Sequence, residues 1–281
     1  MTARNARTAA LVLALAFGVG CQRSGCEVSV FCAAGVAPAF EALRPACLTE
    51  TGLDLRVEAS ASLEAIRKFK DLGRDCDLLV LADPALVARE LKGLCGFRLD
   101  FAEDEVVLAV GKQAPNPDLA ERDWTRAVLA QGVRLFRADE RLAPLGQRTL
   151  ELWRAAGLRR HNALASQLEA AVARKSEDAA TLAGQLKAGE ADYGFLYRST
   201  CLAFDLRYIQ LGAESVHTAW TLTAPSRGKH PELVEKFLTW FFSRSPQELE
   251  RWGFRAMIPP RYYGPGDKAF GFSVSKQGEI L

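Results

Sequence analysis

Histidine and methionine are scarce in this chain of 281 residues, with three of the first and two of the second. His161, His217 and His230 lack metal-ligand spacing, so a histidine-built metal centre has no support. There is no G-x-G-x-x-G turn, no Walker lysine loop and no G-x-S-x-G elbow. That removes the motif basis for a nucleotide-binding or hydrolase reading. No apolar run reaches the roughly 20 residues needed to cross a bilayer. Basic excess is missing too: 36 Lys and Arg face 34 Asp and Glu, net +2, too mild for a dedicated nucleic-acid binder. Seven cysteines are too few for a disulfide scaffold, yet many for a cytosolic enzyme without a metal motif. What is present is ordinary: 49% hydrophobic and 25% charged residues, the balance of a soluble globular protein of one large domain or two smaller ones.

The N-terminus supplies a compartment for the cysteines. Arg4 and Arg7 precede an apolar run from Ala9 to Phe17, followed by Gly18-Val19-Gly20 and Cys21. This is the pattern of a secretory signal peptide over residues 1–20. Cys21 after small residues resembles a bacterial lipobox, in which the cysteine takes a lipid and becomes the mature N-terminus. Gly18 stands where leucine is usual, and ordinary signal-peptidase cleavage is the alternative. The leader holds two arginines and no acid, so the mature chain is left with 34 charges of each sign. Six cysteines then remain: Cys26, Cys32, Cys47, Cys76, Cys95 and Cys201.

Periodicity gives an α/β fold. Glu27–Phe31, Leu53–Val57 and Asp77–Leu81 read as strands, alternating with helices over Pro38–Leu48, Leu63–Leu72 and from Pro84. Further strands are expected at Glu105–Val110, Val133–Phe136, Tyr193–Tyr197, Arg207–Leu211 and Thr218–Thr223. Helices are expected at Trp124–Leu129, Leu145–Ala156, Leu164–Ala173, Ala179–Ala188, Pro231–Phe242 and Pro246–Trp252. Ser60 and Ser62 are N-cap types ahead of the second helix. A β-α-β-α order predicts a parallel sheet with ligands in the loops after the strands.

Four segments carry a resemblance. VFCAAGVAPAFEAL (30–43) resembles the opening strand, loop and helix of periplasmic binding proteins for molybdate and tungstate. EASASLEAIRKFKDLGRDCDLLVLAD (58–83) is similar to their second loop, a serine before a helix and then a strand ending in Ala-Asp. PLGQR (144–148) resembles the Pro-Cys-Gly-Tyr-Arg segment of the tungstate/molybdate branch, and KAGEADYGFLYRS (187–199) its Gly-Glu-x-Asp-Tyr stretch. The order and spacing hold over nearly the whole mature chain.

The resemblance implies a type II two-lobed binding protein, each lobe a mixed or parallel sheet flanked by helices. Residues 26–108 with 199–281 would form one lobe and 109–198 the other, with the ligand in the cleft between them. It implies capture of a small oxyanion for an ABC importer, with a permease as partner, a lipid anchor at Cys21, a monomeric chain, no nucleic acid, no cofactor and no catalysis. Binding positions carried over are Cys32, Gly35, Ser60, Ser62, Leu145, Gly146, Gln147, Arg148, Glu177 and Tyr197. Helix starts at Gly35-Val36, Ser60–Ser62 and Pro144–Gln147 would present oriented N–H groups to an anion.

The departures are equally specific. Gly35 stands where the family has a ligand-binding serine, and Cys32 where histidine is usual. Ala143 replaces a carboxylate before the Pro-Cys-Gly segment, and the second carboxylate position falls near Thr181, with Glu177 and Asp178 out of register. An exported binding or sensor lipoprotein for a different anion or a metal is therefore the alternative. Cys32 reads as a small buried residue, as a partner of Cys201, or as a thiolate on the ligand. An enzyme using it as nucleophile lacks a histidine base in any cleft loop. Cys26, Cys47, Cys76 and Cys95 would gather at the far end of the sheet and form disulfides, Cys26–Cys76 with Cys47–Cys95 being one of three pairings.

Overall fold

Val28, Val30 and Cys32 alternate on one face of the first strand and are fully buried, so the chain enters its sheet as the period-2 pattern requires. The computed structural model describes residues 26–265, 271 and 273–278; the expected leader (1–20) and Cys21 lie outside these residues. The elements run β1 (Cys26–Ala33), α1 (Ala37–Thr51), β2 (Leu53–Ser60), α2 (Ser62–Lys70), β3 (Leu78–Leu81), α3 (Pro84–Glu90) and β4 (Arg98–Val110). There follow α4 (Pro117–Arg122), α5 (Trp124–Val128), β5 (Leu135–Ala138), α6 (Pro144–Arg159), α7 (Leu164–Ala171), β6 (Val172–Ser176), α8 (Ala179–Ala188) and β7 (Tyr193–Tyr197). The chain closes through α9 (Arg198–Ala203), β8 (Arg207–Ile209), β9 (His217–Thr223), α10 (Pro231–Arg251), β10 (Arg255–Tyr263) and β11 (Ser275–Gly278).

The strands pair in the order β2-β1-β3-β9-β4-β7-β5-β6, with β8 and β10 also on β4. β1 runs parallel to β2 and β3, and β5 parallel to β6 and β7. β9 is antiparallel to both β3 and β4. β4 is the seam: its residues up to Glu105 pair with β9, and Val106–Val110 pair with β7. A parallel βαβ half therefore lies on each side of one long strand. The first half packs Phe40, Phe101 and Phe241 together, with ring centroids 5.2 Å apart for Phe40–Phe241 and 5.6 Å for Phe101–Phe241. The second half sets Trp124 and Trp153 edge-on to Phe195 at 5.6 and 5.5 Å. Such aromatic contacts add to the burial that holds each half.

Two expectations change. The sequence predicts two helices around Pro246, but α10 continues through it over 21 residues. The proline removes one backbone bond, while Phe237, Phe241 and Leu249 keep a single buried stripe on either side of it. The expected disulfides are not formed: all six described cysteines are free. Cys47 is buried in the large core with α1, Cys76 and Cys95 belong to a separate cluster with Ile66 and Leu86, and Cys26 is exposed. The proposed Cys47–Cys95 partners thus sit in different cores. No helix of the described residues is long and apolar enough to cross a membrane.

Candidate functional site

β1, β2 and β3 end at one small cavity of about 50 Å³, which suits an ion of a few atoms and is far below the several hundred Å³ of organic-ligand pockets. One wall is Ala33–Gly35, Ser60–Ser62 and Ala82, in the loops that follow these strands. The facing wall is Ala143–Leu145 and Asp178–Ala180, the starts of α6 and α8. Tyr197 at the end of β7 and Trp220 from β9 complete it.

Three helices begin here without a side-chain cap: α1 behind Val36, α2 behind Ala61 and α6 behind Ala143. An uncapped helix start leaves N–H groups and a partial positive charge for a partner. The two serines expected as caps do other things. Ser62 Oγ accepts from the Ala82 N–H at 3.2 Å, tying α2 to the end of β3. Ser60 Oγ is buried with no partner.

Ser60 is one of several. Five buried polar atoms in or beside the cavity are unpartnered: Ser60 Oγ, Tyr197 OH, Thr200 Oγ1, Trp220 Nε1 and Arg148 Nε. The Thr200 hydroxyl lies beside Gly35, 3.6 Å from where a Cβ on that glycine would stand. Buried polar groups in folded proteins are nearly always bonded, and leaving one unpaired costs about 1–3 kcal/mol. Of the other unpartnered atoms in the described residues, Arg98 Nε and Asp100 Oδ1 face each other at 3.1 Å. Trp153 Nε1 lies in the second-half core. The deficit is concentrated at the cavity.

Charge is arranged to leave positive ends free. Arg148, one turn into α6, holds Asp83 at 3.3 Å and Glu151 at 2.7 Å. Burial works against its cation, and the bond to Glu151 and the charge of Asp83 more than offset that. Asp83 also caps α3 through the Ala85 N–H, and Asp178 caps α8 through the Thr181 N–H. Both carboxylates near the cavity are thus occupied. Burial pushes the Tyr197 phenol up, so it stays a neutral donor. Beneath the site, Asp104 accepts from Ser199 Oγ at 2.5 Å, and burial pushes its carboxyl up to about 7.

Of the positions expected from sequence, Gly35, Ser60, Ser62, Leu145 and Tyr197 line the cavity. Cys32 lies behind it in the core, fully buried, and burial pushes its thiol up, which opposes a thiolate on the ligand. Gly146 is packed against the Asp139-Glu140 backbone, where a Cβ would meet Glu140 N at 2.5 Å. Gln147 donates to the Glu140 carbonyl at 3.2 Å, and Glu177 is exposed. Trp220 and Thr200 were not expected. Neither sits in a loop or motif; alternation along 217–223 marks Trp220 only as an inward strand residue. Among the described residues no cluster of His, Cys, Asp and Glu could hold a metal ion.

A larger hollow of about 510 Å³ opens at the other end of β3, beside Asp77, Gly96, Pro225 and His230. Its buried carboxylate is paired: Asp77 accepts from the Ser29 N–H and Oγ and stands 3.0 Å from His230 Nδ1.

A putative ABC transporter molybdenum-binding protein of Haloferax volcanii is 33% identical over 167 residues, 58% of this chain and 53% of that one. A molybdate/tungstate-binding protein of Thermococcus kodakarensis is 26% identical over 251 residues, 74% of this chain and 70% of its own. The sulfate-binding protein SubI of Mycobacterium tuberculosis superimposes with a TM-score of 0.69 at 18% identity, covering 83% of this chain and 88% of that structure. The fold is that of the type II periplasmic binding proteins. The chain spans about three fifths of the length of the first curated relatives it matches, 60% and 62%. The profile of the bacterial extracellular solute-binding proteins matches residues 28–255, and the chain belongs to that family.

Proposed function

We propose that this protein captures a tetrahedral oxyanion, molybdate or tungstate, and delivers it to an ABC permease from the outer face of the membrane, held there by a lipid on Cys21. The observation that carries the reading is the set of buried, unpartnered polar atoms of Ser60, Tyr197 and Trp220 lining a cavity of about 50 Å³, with those of Thr200 and Arg148 nearby. A bound oxyanion supplies their missing acceptors, and three uncapped helix starts supply the charge balance without a lysine. The molybdenum- and tungstate-binding names of the relatives support the choice of anion. Residues 26–108 with 199–281 act as one lobe and 109–198 as the other, hinged where β4 changes partners and where β7 passes into α9. Closure on the anion is what lets a permease tell loaded from empty.

A second reading keeps the site and changes the anion. Ala143 stands where the tungstate branch has one carboxylate and the position of the other falls near Thr181, while Asp83 and Asp178 are engaged in the fold. The anion is therefore held four-coordinate, and another tetrahedral anion such as sulfate fits the same donors. Thermal melting against molybdate, tungstate, sulfate, phosphate, arsenate and chromate separates the readings. At about 100 times its dissociation constant the cognate anion adds about 2.7 kcal/mol. Stabilisation by molybdate or tungstate is expected; a response confined to sulfate moves the assignment to the second reading.

A further inference from the structure

We infer that Trp220 is a ligand-binding residue of this site, donating its indole N–H to the anion and setting the depth of the cavity; the inference rests on the oxyanion reading above. Trp220 is 1% exposed, yet Nε1 has no partner. Of the remaining tryptophans, Trp124, Trp240 and Trp252 each donate to a glutamate, Glu214, Glu50 and Glu248. Trp220 is the one that lines the cavity.

The ring is fixed in place. Tyr197 and Phe254 meet it edge-on, with centroids 6.0 and 5.3 Å away, and β9 is paired on both sides, with β3 and with β4. The six-membered ring of the indole lies against Gly35. A Cβ on that glycine would stand 3.0 Å from Cη2 and 3.4 Å from Cζ2 of the indole. A side chain at residue 35 would press on the indole. The indole donor comes from a strand 185 positions further along the chain. An indole N–H donates and cannot accept, so at this corner the anion must present a bare oxygen. The Thr200 hydroxyl, also beside Gly35, completes that corner.

The test uses the mature chain with tungstate and molybdate. Calorimetric titration of Trp220→Phe, which keeps a ring and removes the donor, is expected to show roughly 10- to 100-fold weaker binding. Its melting temperature without ligand should be unchanged, because an unpaired buried N–H is removed at the same time. Gly35→Ala should weaken binding as well, by crowding the indole edge. In the unsubstituted protein the Trp220 indole N–H proton resonance should move downfield on adding tungstate, a response that a purely structural ring does not give. Wild-type affinity in Trp220→Phe, or an indole resonance that stays still while the protein binds, overturns the role of Trp220 and leaves the oxyanion reading standing. Failure of the wild type to bind any anion of the panel overturns both.

Discussion

The two hollows at opposite ends of β3 differ in size and in what their walls lack. The one beside Asp77 and His230 is about 510 Å³, and the one between Gly35 and Leu145 about 50 Å³. In the first, Asp77 is answered by Ser29 and His230. In the second, Ser60, Tyr197 and Trp220 each bury a polar atom that no described residue answers. Empty volume costs little at a surface, whereas an unanswered buried donor costs about 1–3 kcal/mol. A fold retains such a cost where a ligand removes it. The unpaired donors, rather than the larger volume, mark where the solute goes.

The largest expected effect is at Arg148. Arg148→Ala removes the cation that offsets Asp83 and Glu151 near the cavity, together with an unpartnered donor, and tungstate affinity measured by calorimetry should fall about a hundredfold. Asp104 comes next and tests a buried group whose partners are present. Burial pushes its carboxyl from the ordinary 3.8 up to about 7, so the folded chain keeps a proton there that the unfolded chain has already lost. Its contribution to stability is full below about pH 4 and disappears as the pH rises through about 7. Urea unfolding should show stability falling by a few kcal/mol across that window, and Asp104→Asn should flatten it.

Ser60→Ala should separate binding from folding. Tungstate affinity should drop about tenfold, while the melting temperature of the free protein holds or rises, because a buried unpaired hydroxyl is gone. If the melting temperature falls instead, Ser60 belongs to the ordinary packing of β2. The smallest effect is expected at the large hollow. His230→Ala breaks a pair whose histidine side chain is 49% exposed; stability should change by less than about 1 kcal/mol, and anion affinity should not change. An affinity loss there would erase the distinction between the two hollows.

The three helix starts and the Ser60-Ala61-Ser62 loop are legible in the sequence because they are local. Small residues after a strand, followed by a helix pattern, mark a place where backbone can approach an anion. Trp220 and Thr200 are not legible, because their place depends on how β9 pairs with β4 and how α9 follows β7. The serines read as caps by type, yet Ala61 takes the cap position and turns Ser60 inward. The disulfide pairing failed for a related reason: position along a strand gives the end of the sheet, and not which face or core a cysteine enters. The continuous α10 reflects tertiary packing of Phe237, Phe241 and Leu249 overriding a local proline signal.

The most direct measurement is a crystal structure of the mature chain with tungstate, with data collected at a tungsten absorption edge. A single anomalous peak within hydrogen-bond distance of Ser60 Oγ and Trp220 Nε1 is the predicted result. A peak beside Asp77 and His230, with the small cavity empty, would contradict the account.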